Sequence, residues 1–198
     1  QLALRLAKSR GKISHVEIEH LEEKLEQMPE IVERIIQTQE EKVKQLAKKY
    51  KDKQCFFFLG RGISYAVALE GRLKLMEIAY VPSIAYPAGE SKHGPISLIE
   101  PGFPVIFICP KDDTHKTVIG NIMEMKARGA SIIAVIEEGD EEIKSLADDY
   151  IEIATGLPEV LSPIPYVVPL QLFAYYMAVE RKCDPDMPRN LAKSVTVK

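Results

Sequence analysis

From residue 54 onward the chain alternates short, continuously apolar runs with longer stretches of helical periodicity. That alternation restricts its fold more than any other feature. QCFFFLG, SIAYP, PVIFICP, SIIAVIEE and DYIEIA are the apolar runs. A run that is apolar at nearly every position suits a strand buried on both faces, as in a parallel sheet. Helical patterns occupy the gaps, at about residues 64–80, in HKTVIGNIMEMKARGA and DEEIKSLAD, and at about 163–181 around Pro169. Strands alternating with helices predict a doubly wound, three-layer α/β domain. In such sheets ligands bind beyond the carboxyl ends of the strands, near the switch point. The loops after residues 59, 87, 109 and 136 are therefore the places to search.

Residues 1–52 read as helices instead. Ser14 with Glu17 has capping-box spacing, EIEHLEEKLEQM forms one helix, and a longer amphipathic helix comes after Pro29. Ile31, Ile35, Ile36, Val43 and Leu46 form its apolar stripe. No glycine-rich linker separates residue 52 from the first strand, so these helices are expected to pack on the α/β domain. The chain opens on QLALRLAKSRGK, without a starting Met or a signal-peptide pattern, and is read as a fragment of a longer protein.

The bulk numbers exclude whole classes of function. With 46% hydrophobic and 28% charged residues and a net charge of −3, the composition is that of a soluble globular protein. That balance does not favour nucleic acid or an anionic membrane surface. The longest apolar runs are too short to span a bilayer. Cys55, Cys109 and Cys183 are odd in number and widely spaced, so free thiols are expected, the first two buried. The histidine and cysteine spacing suggests no metal.

Of two loops that follow strands, the first is a weak candidate for a phosphate site and the second is read as not one. GRGIS, between a strand and a helix, is only a GxG; it reads either as a tight turn or as a backbone approach to a phosphate. PKDDTHKT carries Asp112 and Asp113, which repel a phosphate, and Thr114 fits an N-cap. The helix LEGRLKLMEIAY places Glu70, Lys74 and Glu77 at i, i+4 and i+7 in one sector, flanked by Ala66, Val67, Leu73 and Ile78. It reads either as a plain surface salt bridge or as partly desolvated groups with pKa values moved toward neutrality. PAGESKHGPISLIEPG sets Glu90, Lys92 and His93 between Gly89 and Gly94, and His93 is an acid/base candidate or a structural histidine. Met76, Met123, Met125 and the Tyr175–Tyr176 pair read as core filler.

Four stretches, FFLGRGISYAVALEGRLKLMEIAY, PAGESKHGPISLIEPG, PIPYVVPLQLFAYYMAV and DPDMPRNLAKSVTVK, make a specific resemblance. The chain resembles the C-terminal part of the isomerising glutamine–fructose-6-phosphate aminotransferases, or glucosamine-6-phosphate synthases. The resemblance implies a second sugar isomerase (SIS) domain with a five-stranded, mostly parallel, flavodoxin-like sheet. It divides the chain into a helical connector (1–52), the SIS domain (53–182) and a C-terminal catalytic tail (183–198). It implies a cytoplasmic homodimer that makes glucosamine 6-phosphate from fructose 6-phosphate without a metal or organic cofactor. The glutaminase and the first SIS domain of the same full-length chain would be its partners, with no nucleic acid and no membrane.

The roles carry across residue by residue. Lys193 would form an imine with the open-chain ketose. His93, supplied by the neighbouring subunit, would open the sugar ring. Glu77 would move a proton from C1 to C2, and Lys74 would meet the sugar hydroxyls. Glu70 would hold Lys74. Gly89, Glu90 and Ala192 would touch substrate. The N-terminal half of the 64–80 helix would face the sugar. The family's phosphate anchor lies in the first SIS domain, so a chain without it is expected to bind sugar weakly. A regulatory phosphosugar-binding module and a deglycase-type relative are the alternatives.

Overall fold

Residues 2–191 are described by a computed structural model. Three helices come first: α1 (Leu2–Ser9), α2 (His15–Glu26) and α3 (Met28–Tyr50). The start of α2 is fixed by the expected capping box, with Ser14 Oγ accepting from Glu17 N at 3.2 Å and Ser14 N donating to Glu17 Oε2 at 3.0 Å. Pro29 sits in the first turn of α3, where its missing N–H costs nothing. Then come β1 (Phe56–Gly60), α4 (Ser64–Ala79), β2 (Ser83–Pro87), β3 (Pro104–Cys109), α5 (His115–Lys126), β4 (Ser131–Glu137), α6 (Glu141–Leu146), β5 (Asp149–Ile153) and α7 (Pro163–Glu180).

The strands form a parallel five-stranded sheet in the order β2-β1-β3-β4-β5. This is the flavodoxin-like order, whose switch point lies between β1 and β3. Successive residues of a strand face opposite sides, and β1 shows why every position must be apolar. Phe56 and Phe58 enter one core with α3, α4 and α7, and Phe57 and Leu59 enter the other with α5 and α6. Aromatic edges interlock in both layers: Phe56 meets Phe173 at 5.8 Å, and Phe57 meets Phe103 at 4.9 Å.

α7 is apolar on nearly all sides because it packs against both α3 and α4. By length and composition alone the stretch Glu159–Glu180 could cross a bilayer, but half of its most apolar window is buried in this fold. Arg181 ties its end to the neighbouring helices, donating from Nε to Ala79 O and from Nη1 to Lys51 O.

Several expectations are corrected. In α3, Ile31, Ile35, Val43 and Leu46 are buried, but Ile36 is exposed on the solvent edge of the stripe. Only α3 joins the core, since α1 buries nothing and α2 buries only Ile18 among the described residues. Met125 is core; Met76 and Met123 are exposed. Tyr175 is exposed too, and Tyr176 is half-buried and donates to Glu40 of α3. Cys109 is buried and its thiol is pushed well up by desolvation, whereas Cys55 is only half-buried.

α4 approaches α7 closely at Gly71. A Cβ there would stand 2.6 Å from Leu170 Cδ1, 3.1 Å from Phe58 Cε1 and 3.2 Å from Leu170 Cβ. Gly71→Ala therefore sets helix propensity, worth about 1 kcal/mol in its favour, against overpacking worth about 1–3 kcal/mol. Because the contact is in the core, overpacking wins. Urea unfolding should show the variant destabilised by about 1 kcal/mol or more.

Candidate active site

α4 is aimed by the turn that precedes it. Gly62 takes a positive φ of 53°, and a Cβ on Gly60 would lie 2.5 Å from Ser64 O. The GRGIS loop is thus a tight turn. At the other side of the switch point, Asp112 Oδ1 accepts from Thr114 N at 2.8 Å and from Thr114 Oγ1 at 2.7 Å. Thr114 stands at the N-cap of α5, but its side chain makes no cap bond, so that expectation fails in its chemistry.

Beside this turn, beyond the ends of β3, β4 and β5, opens a cleft of about 390 Å³ bordered by Asp112, Asp113, Glu137 and Glu159 against Lys111. Its lining carries more carboxylates than ammonium groups, an electrostatic environment that disfavours a phosphate. Glu137 is engaged internally, accepting from Thr155 N, Gly156 N and the Tyr166 hydroxyl. Burial and the Glu137 charge push the Tyr166 phenol far above its ordinary range.

Along α4, Glu70, Lys74 and Glu77 form one linked group. Lys74 Nζ lies 2.6 Å from Glu77 Oε2 and 3.5 Å from Glu70 Oε1. Their side chains are 42%, 32% and 28% exposed in chain order, so this is a half-exposed flank and not a buried stripe. The pKa reasoning is corrected as well. The hydrogen bond to Glu77 raises the Lys74 pKa above its ordinary value, away from neutrality, so Lys74 stays an ammonium. The position along the helix is also corrected: in a helix running from Ser64 to Ala79, Lys74 and Glu77 stand in the second half, not the N-terminal half.

Glu77 in that last turn faces the negative end of the helix dipole, a placement unfavourable by about 0.3–1 kcal/mol. A residue set there for stability alone would be basic. The Lys74 ammonium offsets the cost.

His93 lies on a different element, the loop after β2. The loop is anchored by buried Ser91, whose Oγ donates to Ala88 O at 2.7 Å. His93 and Glu90 are exposed, and no hydrogen bond or ion pair among the described residues joins His93 to the α4 group. Gly89 backs onto Arg61, where a Cβ would stand 2.7 Å from Nη1. Sequence reasoning does not single out Arg61. It donates to Asn121 Oδ1 at 3.1 Å, Asn121 donates to Glu124, and Glu124 pairs with Lys92 at 3.8 Å. That chain braces the His93 loop against α5; the only local signal is an arginine between two glycines. Lys193 and Ala192 lie outside the described residues.

A family model described as the SIS domain matches residues 49–181. The chain is 48% identical over 196 residues to the glutamine–fructose-6-phosphate aminotransferase (isomerizing) of Thermococcus kodakarensis, covering 99% of this chain and 32% of that protein. It is 47% identical over 177 residues to the enzyme of the same name from Methanothermobacter thermautotrophicus, covering 89% of this chain and 30% of that protein. The chain therefore spans about a third of the length of the curated relatives it matches. The solved C-terminal domain of glucosamine-fructose-6-phosphate aminotransferase from Francisella tularensis superposes with a TM-score of 0.87 at 30% identity, covering 92% of this chain and 51% of that one.

The electrostatics of the α4 group give a stability prediction. Lys74 has a raised pKa, so its charge supports the fold at pH values below the ordinary lysine value of 10.5 and is lost only as pH climbs past the folded-state value. Lys74→Met should cost less than about 1 kcal/mol, because the pair is half-exposed. Denaturant melts at pH 7 and pH 9 should give the same difference from wild type.

Proposed function

Since the chain belongs to the SIS domain family, we propose that it is the isomerase portion of a glutamine–fructose-6-phosphate aminotransferase. In this reading fructose 6-phosphate and glutamine-derived ammonia become glucosamine 6-phosphate. The observation that carries the reading is Glu77: a carboxylate set against the helix dipole, half-exposed, and held 2.6 Å from an ammonium. Similarity that covers 89–99% of this chain, and about a third of enzymes of that name, supports it.

Each residue has its own part in the reaction. His93, reaching from a partner subunit in a homodimer, opens the sugar ring; its exposure on a braced loop suits that task. The Lys193 amine attacks the C2 carbonyl of the open ketose and water leaves, forming an imine. Ammonia displaces the lysine, leaving a C2 imine of the substrate. Glu77 then takes a proton from C1 and returns it to C2, so that C1 becomes the aldehyde and C2 bears the amine. Lys74, as an ammonium, donates to the sugar hydroxyls while Glu70 holds it. Gly89, Glu90 and Ala192 border the substrate. None of these steps asks for a metal or an organic cofactor.

The partner domains follow from the same reading. Residues 1–52 connect to a first SIS domain that grips the phosphate, residues 53–182 form the second, and residues 183–198 are the catalytic tail, all in the cytoplasm. Exposed Leu69 and Met76 beside the charged group on α4 suit packing against that first domain.

Borohydride reduction with fructose 6-phosphate, followed by peptide mass spectrometry, tests the chemistry in the full-length protein that carries this sequence. A reduced adduct on Lys193 is expected; a specific adduct on another lysine overturns the assignment. Glu77→Gln should leave that adduct in place while lowering glucosamine 6-phosphate formation by about 10²–10⁴-fold. Residues 1–198 alone should turn over little with free ammonium, and activity near that of the full-length protein would refute the division of labour.

A further inference from the structure

The geometry points to a clasp between Tyr80 and Arg189 that fixes where the last residues of the chain leave the fold, and so positions Lys193. The consequence for Lys193 rests on the function proposed above; the clasp itself rests on residues 80 and 189.

Tyr80 closes α4 in the left-handed conformation, with φ at 56°. Glycine is the usual residue at such a helix end, and a bulky side chain there is strained. The aromatic ring therefore has work beyond ending the helix. Its hydroxyl accepts from Arg189 N at 2.9 Å, and the Arg189 guanidinium lies 4.1 Å from the ring centroid. One side chain thus takes hold of both the backbone and the side chain of a residue 109 positions away.

The platform beneath is fixed. Arg181 ties Ala79, the residue before Tyr80, to the end of α7 and to Lys51. The approach to Arg189 is shaped by Asp184, whose Oδ1 accepts from Asp186 N and Met187 N. After the clasp the chain turns at once, since Asn190 has a positive φ of 64°.

Glu77 stands three residues before Tyr80, about 4.5 Å along the helix axis. Lys193 comes four residues after Arg189, a span of at most about 14 Å of extended chain. With the clasp closed, covalent geometry bounds the reach of Lys193 to that span around Arg189, on the end of α4 that carries Lys74 and Glu77. With it open, the bound is measured from near residue 183, and the effective concentration at α4 falls. Tyr80 is in this sense a positioning residue and touches no reacting atom.

Trypsin reads the clasp directly, because to cut after Arg189 it must draw that side chain off the Tyr80 ring into its own pocket. In the full-length protein, cleavage after Arg189 is compared with cleavage after Lys12, an exposed loop residue remote in the chain. Tyr80→Gly relieves the left-handed strain and removes the ring, so thermal stability should hold or rise. Arg189 cleavage should nevertheless accelerate at least tenfold against the Lys12 reference. Tyr80→Phe, which keeps the ring and loses the acceptor, should fall between. Equal cleavage ratios in all three proteins would overturn the clasp.

Borohydride trapping then separates the two proposals. Slower adduct formation on Lys193 in Tyr80→Gly, in a protein with unchanged melting, supports positioning by Tyr80. Equal trapping in wild type and variants overturns positioning and leaves the imine chemistry standing. If wild type itself traps nothing on Lys193, the imine reading falls, and the trypsin ratios alone decide the clasp.

Discussion

Everything on α4 depends on how β1 hands over its chain. β1 is buried on both faces, and within three residues the backbone must reverse and begin a helix. Gly60 permits this because the space a Cβ would fill is taken by the Ser64 carbonyl. Gly71 then lets the helix sink onto α7 and Phe58. These two close approaches fix the axis and rotation of α4, and hence which residues stay outside. Glu70, Lys74 and Glu77 are linked because they share the flank left over.

That flank illustrates a difference between what stabilises a fold and what a site requires. An exposed ion pair contributes a fraction of a kcal/mol, and an acid in the last turn of a helix subtracts a comparable amount. The group is close to neutral for stability, so its arrangement has little structural reason to exist. The same holds at Tyr80, where glycine would be the easier residue and tyrosine makes contacts that glycine cannot. Sites where local preference is overridden without a gain in packing are where function is best sought.

Much of the architecture was legible along the chain. FFFLG and PVIFIC had to be central strands, because only a strand covered on both sides uses an apolar residue at every position. The Ser14–Glu17 box was readable because both partners lie within one turn. Other features were not. Ile36 lies near the apolar stripe of α3 yet is exposed, since the stripe's width is set by what α7 and β5 cover. Thr114 has the right side chain for a cap, but its backbone is helical (φ −88°, ψ −10°) where a capping residue is extended, and its hydroxyl is turned toward the Asp112 carboxylate. Lys74 is among apolar neighbours in the sequence, yet its pKa rises, because a hydrogen bond to Glu77 outweighs a modest loss of water.

By itself the amino-acid sequence determined the order and type of the elements, the parallel sheet and the family, because these follow from periodicity and from motifs of contiguous residues. Tertiary structure alone decided which face of α4 meets solvent, that Arg61 braces the loop of His93 through Asn121 and Glu124, and that Arg189 returns to Tyr80. These depend on groups brought together from distant parts of the chain. Contacts of that kind arise when helices settle on a sheet, and no spacing along the chain encodes them.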